Sequence, residues 1–202
     1  METNDTKDFI LKQTFLLLLT KGYDAVSITD IQKATAMSRG LLYHYFGNKE
    51  ELFLAVADKY LVGLLEMDEG AVVGMDIPQL IAYIVSKYSQ AIQVALGDYP
   101  GTYKISIANY DFLIFRFTQQ YKALSDRFAL IREKEIRIWA LAIEASMQSG
   151  AIHAETDAAK MAQYFVCLLD GVWLNAVNKG DSSDLIKDFE MMLSGFYELL
   201  QR

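Results

Sequence analysis

The stretch "SITDIQKATAMSRGLLYHYFGNKEEL", residues 27–52, decides the fold. Ser27, Ser38 and Asn48 suit helix N-caps, because their side-chain oxygens can accept hydrogen bonds from the first free amides of a helix. Gly47 can end the segment before Asn48. The pattern therefore predicts a short helix from 28 to 34 or 35, a second from 39 to about 45, and a third that begins at Asn48. A tight turn joins the first two.

The rest of the chain has the composition of an all-α protein. Of its 202 residues, 52% are hydrophobic and only two are proline, which favours long helices. A first helix is predicted from about Asp5 to Lys21, ended by Gly22, because the following residues recur at helical spacing: Phe9, Ile10, Gln13, Leu16, Leu17 and Thr20. A loop is predicted at 67–77. The remaining helices are expected at about 48–66, 78–96, 102–120, 125–149, 157–179 and 185–201, which gives nine in all.

The two short helices, with a helix on either side, form a helix-turn-helix arrangement. The formal net charge of −7 argues against nucleic-acid binding, but the charge is unevenly distributed. Residues 1–60 carry seven basic and eight acidic side chains, whereas the remainder carries twelve and eighteen. Residues 27–49 contain three basic side chains (Lys33, Arg39 and Lys49) and one acidic side chain (Asp30). A small excess of positive charge therefore remains at the helix pair.

Several classes of protein are disfavoured. With two histidines and one cysteine, the sequence offers no metal-ligand spacing, and it has no phosphate loop or nucleophile elbow, so we expect no enzyme, no metal and no cofactor. Cys167 lies in an apolar stretch and is predicted to be a small core residue. The sequence has no charged-then-apolar leader, and its longest apolar runs are too short to span a bilayer. We therefore expect a cytoplasmic protein without membrane contact.

Residues 22–56 resemble the N-terminal DNA-binding region of the tetracycline-repressor (TetR) family. The matching elements are Gly22-Tyr23, Ser27-Ile28-Thr29-Asp30-Ile31, Ser38-Arg39-Gly40-Leu41-Leu42-Tyr43, Tyr45-Phe46 and Asn48-Lys49-Glu50-Glu51-Leu52. The resemblance covers roughly residues 5–60. It departs from the family at Ala36, where glycine is usual, so Ala36 is expected to adopt a left-handed backbone or to change the turn slightly.

The resemblance implies the nine-helix TetR-like fold, with a helix-turn-helix domain at 1–47, a connecting helix at 48–66 and a helical ligand-binding and dimerisation domain at 67–202. It also implies a ligand-responsive transcriptional regulator, usually a repressor. Such a homodimer would bind a palindromic operator in double-stranded DNA and would be released by a small-molecule effector. A helical dimeric interaction protein that does not bind DNA is the alternative.

The candidate DNA contacts surround the second short helix. If Leu42, Tyr45 and Phe46 pack inward, Tyr43 and His44 face outward with Arg39, and their polar ends suit phosphate oxygens. Arg39 would reach a base edge, or else remain a solvated arginine. The remaining roles are a close approach at Gly40, a thymine methyl contact at Leu41 and a phosphate clamp at Lys49. The full predicted set is Thr29, Ser38, Arg39, Gly40, Leu41, Tyr43, His44 and Lys49.

The effector pocket and the dimer interface are less clearly marked. Ring-rich helical segments suggest a partly apolar or aromatic effector, although such rings are also the usual content of a core. The pocket candidates are Asn109, Tyr110, Phe115, Trp139 and Trp173. The last two helices have broad apolar faces, with Gly171 and Gly195 allowing close approach. Paired with their symmetry mates, these helices would make a four-helix dimer interface.

Overall fold

The computed structural model describes residues 2–97 and 105–201. These residues contain nine helices of seven residues or more and no strand, so the prediction of a nine-helix all-α fold is confirmed. The predicted start of one helix at 102 lies outside the described residues. The helices are α1 (Glu2–Lys21), α2 (Ile28–Thr35), α3 (Arg39–Tyr45), α4 (49–65), α5 (Ile77–Leu96), α6 (Ile107–Gln120), α7 (Lys122–Gln148), α8 (Ala158–Lys179) and α9 (Leu185–Leu200).

The three predicted N-caps all form. The Ser27 hydroxyl accepts from the Asp30 amide, and the Asp30 carboxylate accepts from the Ser27 amide, which closes a capping box on α2. The Ser38 hydroxyl accepts from the Leu41 amide at 3.2 Å. The side-chain oxygen Oδ1 of Asn48 accepts from the Glu51 backbone amide at 2.8 Å. These bonds satisfy amides that a helix leaves free at its N-terminus, and they fix where α2, α3 and α4 begin.

Ala36, which follows α2, adopts the left-handed backbone that the sequence suggested. Its φ and ψ angles are 55° and 27°, and it is the one non-glycine with a positive φ among the described residues. This conformation places Cβ close to the following carbonyl, which costs an L-residue roughly 1–2 kcal/mol. The turn therefore keeps the backbone geometry that glycine would adopt there, at a cost to stability.

α4 is not a regular α-helix throughout. It consists of Lys49–Ala57, a π-helical segment Asp58–Val62 and a last short α-helical segment Gly63–Leu65. Beyond it, the predicted loop at 67–77 contains one helical turn, Glu69–Val72. Met67, Val72 and Ile77 are buried, so apolar side chains hold this connection in place.

The described residues divide into two units. The first contains those up to Leu64 and those from 105 to Ser125; the second contains Leu65 to 97 and Asp126 to 201. The first unit differs in extent from the predicted domain 1–47, but compactness does not say which residues bind DNA, so the functional boundaries remain predictions.

In the first unit, α1 lies at the centre and packs against α2, α4 and α6. The Phe15 ring stacks on the Tyr60 ring with centroids 4.5 Å apart. The helical spacing predicted in the sequence placed Phe9 on the inner face of α1, but Phe9 is exposed. Leu11 and Leu18, which that spacing left out, are buried. The largest buried side chains of this core are Ile10, Phe15, Leu18, Leu19, Ile31, Leu42, Leu52, Phe53 and Phe117.

In the second unit, α9 packs against both α5 and α8. The Trp139 and Phe165 rings are parallel, with centroids 4.2 Å apart. The backbone amide of Ile77 donates to the Ser146 hydroxyl at 3.0 Å, which ties the start of α5 to α7. Cys167 is exposed, so its prediction as a core residue was wrong. None of the described helices has both the length and the apolar character needed to cross a membrane.

Candidate DNA-binding surface

α3 has one buried and one exposed side. Leu42, within the helix, and Phe46, directly after it, are buried against the first unit. Tyr45 is only half-buried, so the expectation that both Tyr45 and Phe46 belong to the core is right for Phe46 alone. The opposite side carries Arg39, Gly40, Leu41 and His44, which are exposed, and Tyr43, which is half-buried. We call these five residues the α3 outer side.

Arg39 and Tyr43 contact each other on this side. They are four residues apart on the helix, and the Arg39 guanidinium carbon lies 5.4 Å from the centre of the Tyr43 ring. A guanidinium over an aromatic face is attracted by the ring quadrupole, and the contact also restricts the long arginine side chain. The ring therefore supports Arg39 at the start of the helix while the arginine keeps its hydrogen-bond donors available.

Gly40 is not required by the packing of the protein itself. A Cβ built on Gly40 meets no other atom within 4 Å, and its φ is not in the left-handed region. Alanine would therefore fit without strain and would favour the helix. The glycine lowers local helix stability and leaves the surface open beside Arg39 and Leu41, the latter 41% exposed.

Three further candidates lie around the α3 outer side. Thr29 is exposed in the first turn of α2, and Ser38 is exposed as the N-cap of α3. Lys49 is half-buried in the first turn of α4, with its ammonium 4.8 Å from the centre of the Phe53 ring. These residues sit at the starts of three helices, where free amides and the helix dipole favour an anion. All eight predicted residues thus lie in one short region, 29–49, of the first unit.

The acid in this region is already paired. Asp30 accepts from the Lys21 ammonium and from the Ser27 hydroxyl and amide. The Lys21 hydrogen bond is the largest cause that holds the pKa of Asp30 far below its usual range, followed by the bonds from Ser27. Asp30 is thus an ionised capping acid with a bound counter-charge. Its negative charge therefore offsets the charge of Arg39 less than that of a free acid would.

Sequence reasoning did not identify the contacts that hold α6 within this unit. The Arg116 guanidinium donates to both carboxylate oxygens of Asp24 at 2.9 Å. The hydroxyls of Tyr23 and Tyr121 share a hydrogen bond of 2.7 Å. Burial, followed by this bond, raises the pKa of Tyr121. Each pair joins residues more than ninety positions apart, so spacing along the chain gives no signal for them.

The five pocket candidates are distributed over both units. In the first unit, Asn109 accepts from Ser106 in the capping box of α6, Tyr110 is buried, and Phe115 is 57% exposed. In the second unit, Trp139 is fully buried, and Trp173 makes an edge contact with the Tyr88 ring. Because Phe115 points largely to solvent, it does not line an enclosed cavity within its own unit.

Comparison with known proteins agrees with this geometry. Residues 10–56 match the family model described as bacterial regulatory proteins, tetR family. An HTH-type transcriptional regulator in the lacX 3′ region of Lactococcus lactis is 35% identical over 94 residues, which are 43% of this chain and 47% of that protein. The chain therefore spans about half the length of that relative.

The HTH-type transcriptional regulator YfiR of Bacillus subtilis is 24% identical over 91% of this chain and 88% of its own length. The crystal structure of a TetR transcription regulator from Haloarcula marismortui aligns over 98% of both chains, with a TM-score of 0.68 and 17% identity. The family model covers the helix-turn-helix, and the all-helical architecture agrees over nearly the whole chain. Residues 10–56 therefore match the helix-turn-helix of the tetR family of bacterial regulatory proteins, and the fold of the chain is similar to that of a TetR transcription regulator.

Proposed function

We propose that the protein is a transcriptional repressor that binds a palindromic DNA operator as a homodimer. The observation that carries the proposal is the α3 outer side. It presents a guanidinium, a glycine and two polar rings to solvent on a helix whose other side is buried. A helix of this kind fits the major groove, where side chains at its N-terminal end reach the base edges.

Each residue has a role that follows from its chemistry. Arg39 reads a base edge, with guanine as the usual partner of its paired donors, and Leu41 contacts a thymine methyl. Tyr43 and His44 hold phosphate oxygens, which positions the helix without reading sequence. Lys49 lies at the start of α4, beyond the C-terminal end of α3, and binds a phosphate there. Thr29 and Ser38 add phosphate contacts at the starts of α2 and α3, while Gly40 allows the close approach.

Dimerisation through the last two helices is the second part of the proposal. Leu174, Met191 and Leu199 are between 55% and 62% exposed on α8 and α9, which is unusual for large apolar side chains grouped on two adjacent helices. Two-fold pairing of these helices would bury them against their symmetry mates. The two α3 helices of the dimer would then lie about one duplex turn apart, roughly 34–36 Å, and would require a palindrome.

Release by a small-molecule effector is the third part. In the second unit, two helices place the Trp139 and Phe165 rings in parallel contact, and Tyr88 contacts both Trp173 and Phe189. Rings of this kind suit an apolar or aromatic ligand body. A ligand that binds better to the DNA-free conformation would shift the population away from the DNA-bound one.

Selection from a pool of random duplex DNA tests the proposal directly. We expect enrichment of an inverted repeat whose half-sites are centred about one helical turn apart. On the selected duplex, Arg39→Ala should lower affinity by roughly 5- to 150-fold, because one paired base contact contributes about 1–3 kcal/mol. Arg127→Ala is the matched control, since it removes an exposed arginine from α7 and changes the net charge equally.

Two outcomes would overturn the proposal. If no repeat is enriched, the chain fits better with the helical interaction protein that does not bind DNA. If Arg39→Ala and Arg127→Ala weaken binding by the same factor, then net charge rather than the α3 outer side determines affinity.

A further inference from the structure

The basic side chains of the first unit differ in whether an acid offsets their charge. Lys7, Arg39 and Lys49 form no ion pair among the described residues, and each ammonium or guanidinium lies over an aromatic ring instead. Other cations of the unit are paired with carboxylates: Lys21 with Asp30, Lys59 with Asp8 and Arg116 with Asp24. The charges of the first group therefore remain available to an anion from outside the protein.

Lys7 belongs to α1 but reaches the junction between α3 and α4. Its ammonium lies 5.5 Å from the centre of the Phe46 ring. Phe46 is 5% exposed and directly follows α3, and Lys49 begins α4 three residues later. The fold thus brings a cation from a distant part of the chain to the place where a phosphate contact of Lys49 is proposed. Spacing along the sequence carries no signal for this arrangement.

The ring contact orients Lys7 without using up its hydrogen-bond donors. The face of an aromatic ring attracts an ammonium through the ring quadrupole, which restricts an otherwise flexible side chain. An ammonium has three N–H donors, and a carboxylate partner would occupy one or more of them. Lys7 is exposed, so these donors face solvent. A side chain that is oriented and unpaired in this way is suited to bind a phosphate oxygen.

The acids near Lys7 are engaged elsewhere. Asp8, the next residue, pairs with the Lys59 ammonium at 2.7 Å. The Glu51 carboxylate accepts hydrogen bonds from the backbone amide and the side-chain amide of residues 47–48. The positive charge of Lys7 is therefore not neutralised by either of them.

We propose that Lys7 binds a backbone phosphate of the operator, so that α1 and α4 together hold the duplex beyond the C-terminal end of α3. The inference rests on the proposed function and adds a contact from outside the helix-turn-helix. Duplex DNA carries one phosphate charge about every 1.7 Å along its axis, so a cation beside the Lys49 site meets a neighbouring phosphate. The contact positions the protein on DNA but reads no base.

The salt dependence of binding tests this contact. Each phosphate contact adds about 0.9 to the steepness with which log K falls against log salt concentration, and a dimer has two copies of Lys7. Lys7→Gln should therefore reduce the slope by about 1.8. The affinity ratio of wild type to variant should then fall about twelvefold between roughly 50 and 200 mM salt. The selected duplex and a scrambled duplex should give the same reduction, because a phosphate contact carries no sequence information.

Three further variants separate the contact from net charge and from packing. Lys12→Gln removes the same charge from an exposed position of α1 that lies about 140° around the helix, and its slope should stay close to that of wild type. Lys7→Arg keeps the charge and should keep the wild-type slope. Lys7→Met keeps an apolar stem against the Phe46 ring but has no charge, and it should behave like Lys7→Gln.

Neutral methylphosphonate linkages locate the contact on the DNA. We would replace the phosphates of each half-site one at a time and titrate wild type and Lys7→Gln on every duplex. At the phosphate that Lys7 binds, the replacement should weaken wild type and leave the variant unaffected, because the two changes remove the same interaction. At the phosphate that Lys49 binds, both proteins should lose affinity.

The inference is overturned if Lys7→Gln keeps the wild-type slope, if Lys12→Gln reduces the slope equally, or if no phosphate loses its effect in the Lys7 variant. Any of these results, together with DNA binding that depends on Arg39, would reject the Lys7 contact and leave the repressor proposal intact. A wild-type protein that binds neither duplex would overturn both.

Discussion

Gly40 is the residue at which protein stability and the proposed DNA binding are opposed. Alanine at this position meets no neighbouring atom and improves the helix, so Gly40→Ala should raise the free energy of unfolding by up to about 1 kcal/mol. On DNA, the added methyl group occupies the space into which a phosphate or base edge approaches, and we expect at least about tenfold weaker binding. Thermal unfolding and a DNA titration of the same sample measure both effects. Unchanged affinity would mean that DNA does not approach closely at Gly40.

Ala36 gives the complementary case, because here alanine is the less suitable residue. Its left-handed backbone is strained for an L-residue, and glycine removes the strain but loses more conformational entropy on folding. The two effects leave a net gain of about 0.5–1 kcal/mol for Ala36→Gly, which corresponds to a rise of roughly 1–4 °C in Tm for a chain of this size. Differential scanning calorimetry checks the sign. A lower Tm would show that the turn is not under strain.

At the scale of the element, the ends of helices were more predictable than their faces. The ends depend on short-range chemistry, so Ser27, Ser38 and Asn48 marked the starts of α2, α3 and α4 correctly. The face of α1 depends on its neighbours. Because "FLLLL" at 15–19 is apolar on every side, periodicity alone could not choose between the possible stripes.

The same contrast separates the α3 outer side from Glu135, a buried acid of α7 that accepts a hydrogen bond from Arg132. The α3 outer side was predictable because adjacent residues such as Leu42 and Tyr43 must point in different directions. Glu135 was overlooked, yet a signal was present. It lies four residues before Trp139 and three before Ile138, both buried, so a charged residue on that stripe has to enter the core. The partners Arg132 and Asp170 come from two helices, and the sequence alone does not bring them together.

A buried hydrogen bond joins α6 to α4. The Tyr110 hydroxyl donates to the Tyr60 carbonyl at 2.9 Å, and Tyr60 lies in the π-helical segment of α4. Tyr110→Phe keeps the ring and removes this bond, so we expect a loss of about 1 kcal/mol in the free energy of unfolding. Tyr83→Phe, on a half-buried tyrosine of α5, is the control in urea unfolding. Equal stability of the two variants would show that the bond contributes nothing.

At the scale of the whole molecule, Glu135 should give the protein a specific pH dependence. Its folded pKa of about 7 exceeds the 4.5 of the unfolded chain, so the folded state binds this proton more tightly. The stability that it contributes is therefore complete below pH 4.5 and is lost as the pH rises to about 7. Relative to wild type, Glu135→Gln should gain about 2 kcal/mol between pH 5.5 and pH 8. Urea unfolding across that range measures the difference, with Glu133→Gln as control, and parallel stability curves would contradict it.

The proposed dimer should depend on the exposed apolar side chains of α8 and α9. Leu174 and Met191 are 55% and 59% exposed, and Met191 lines a groove between the two helices together with Gly171. Placing charges there by Leu174→Asp and Met191→Asp would require burying unpaired carboxylates in the interface, which costs several kcal/mol. We therefore expect a monomer at micromolar concentration in sedimentation velocity, with palindrome binding lost. Leu141→Asp changes an equally exposed leucine on α7 and should leave the dimer intact. If the double variant still dimerises, the two-fold interface lies elsewhere. If the wild-type protein is a monomer, the dimer is removed from the proposal.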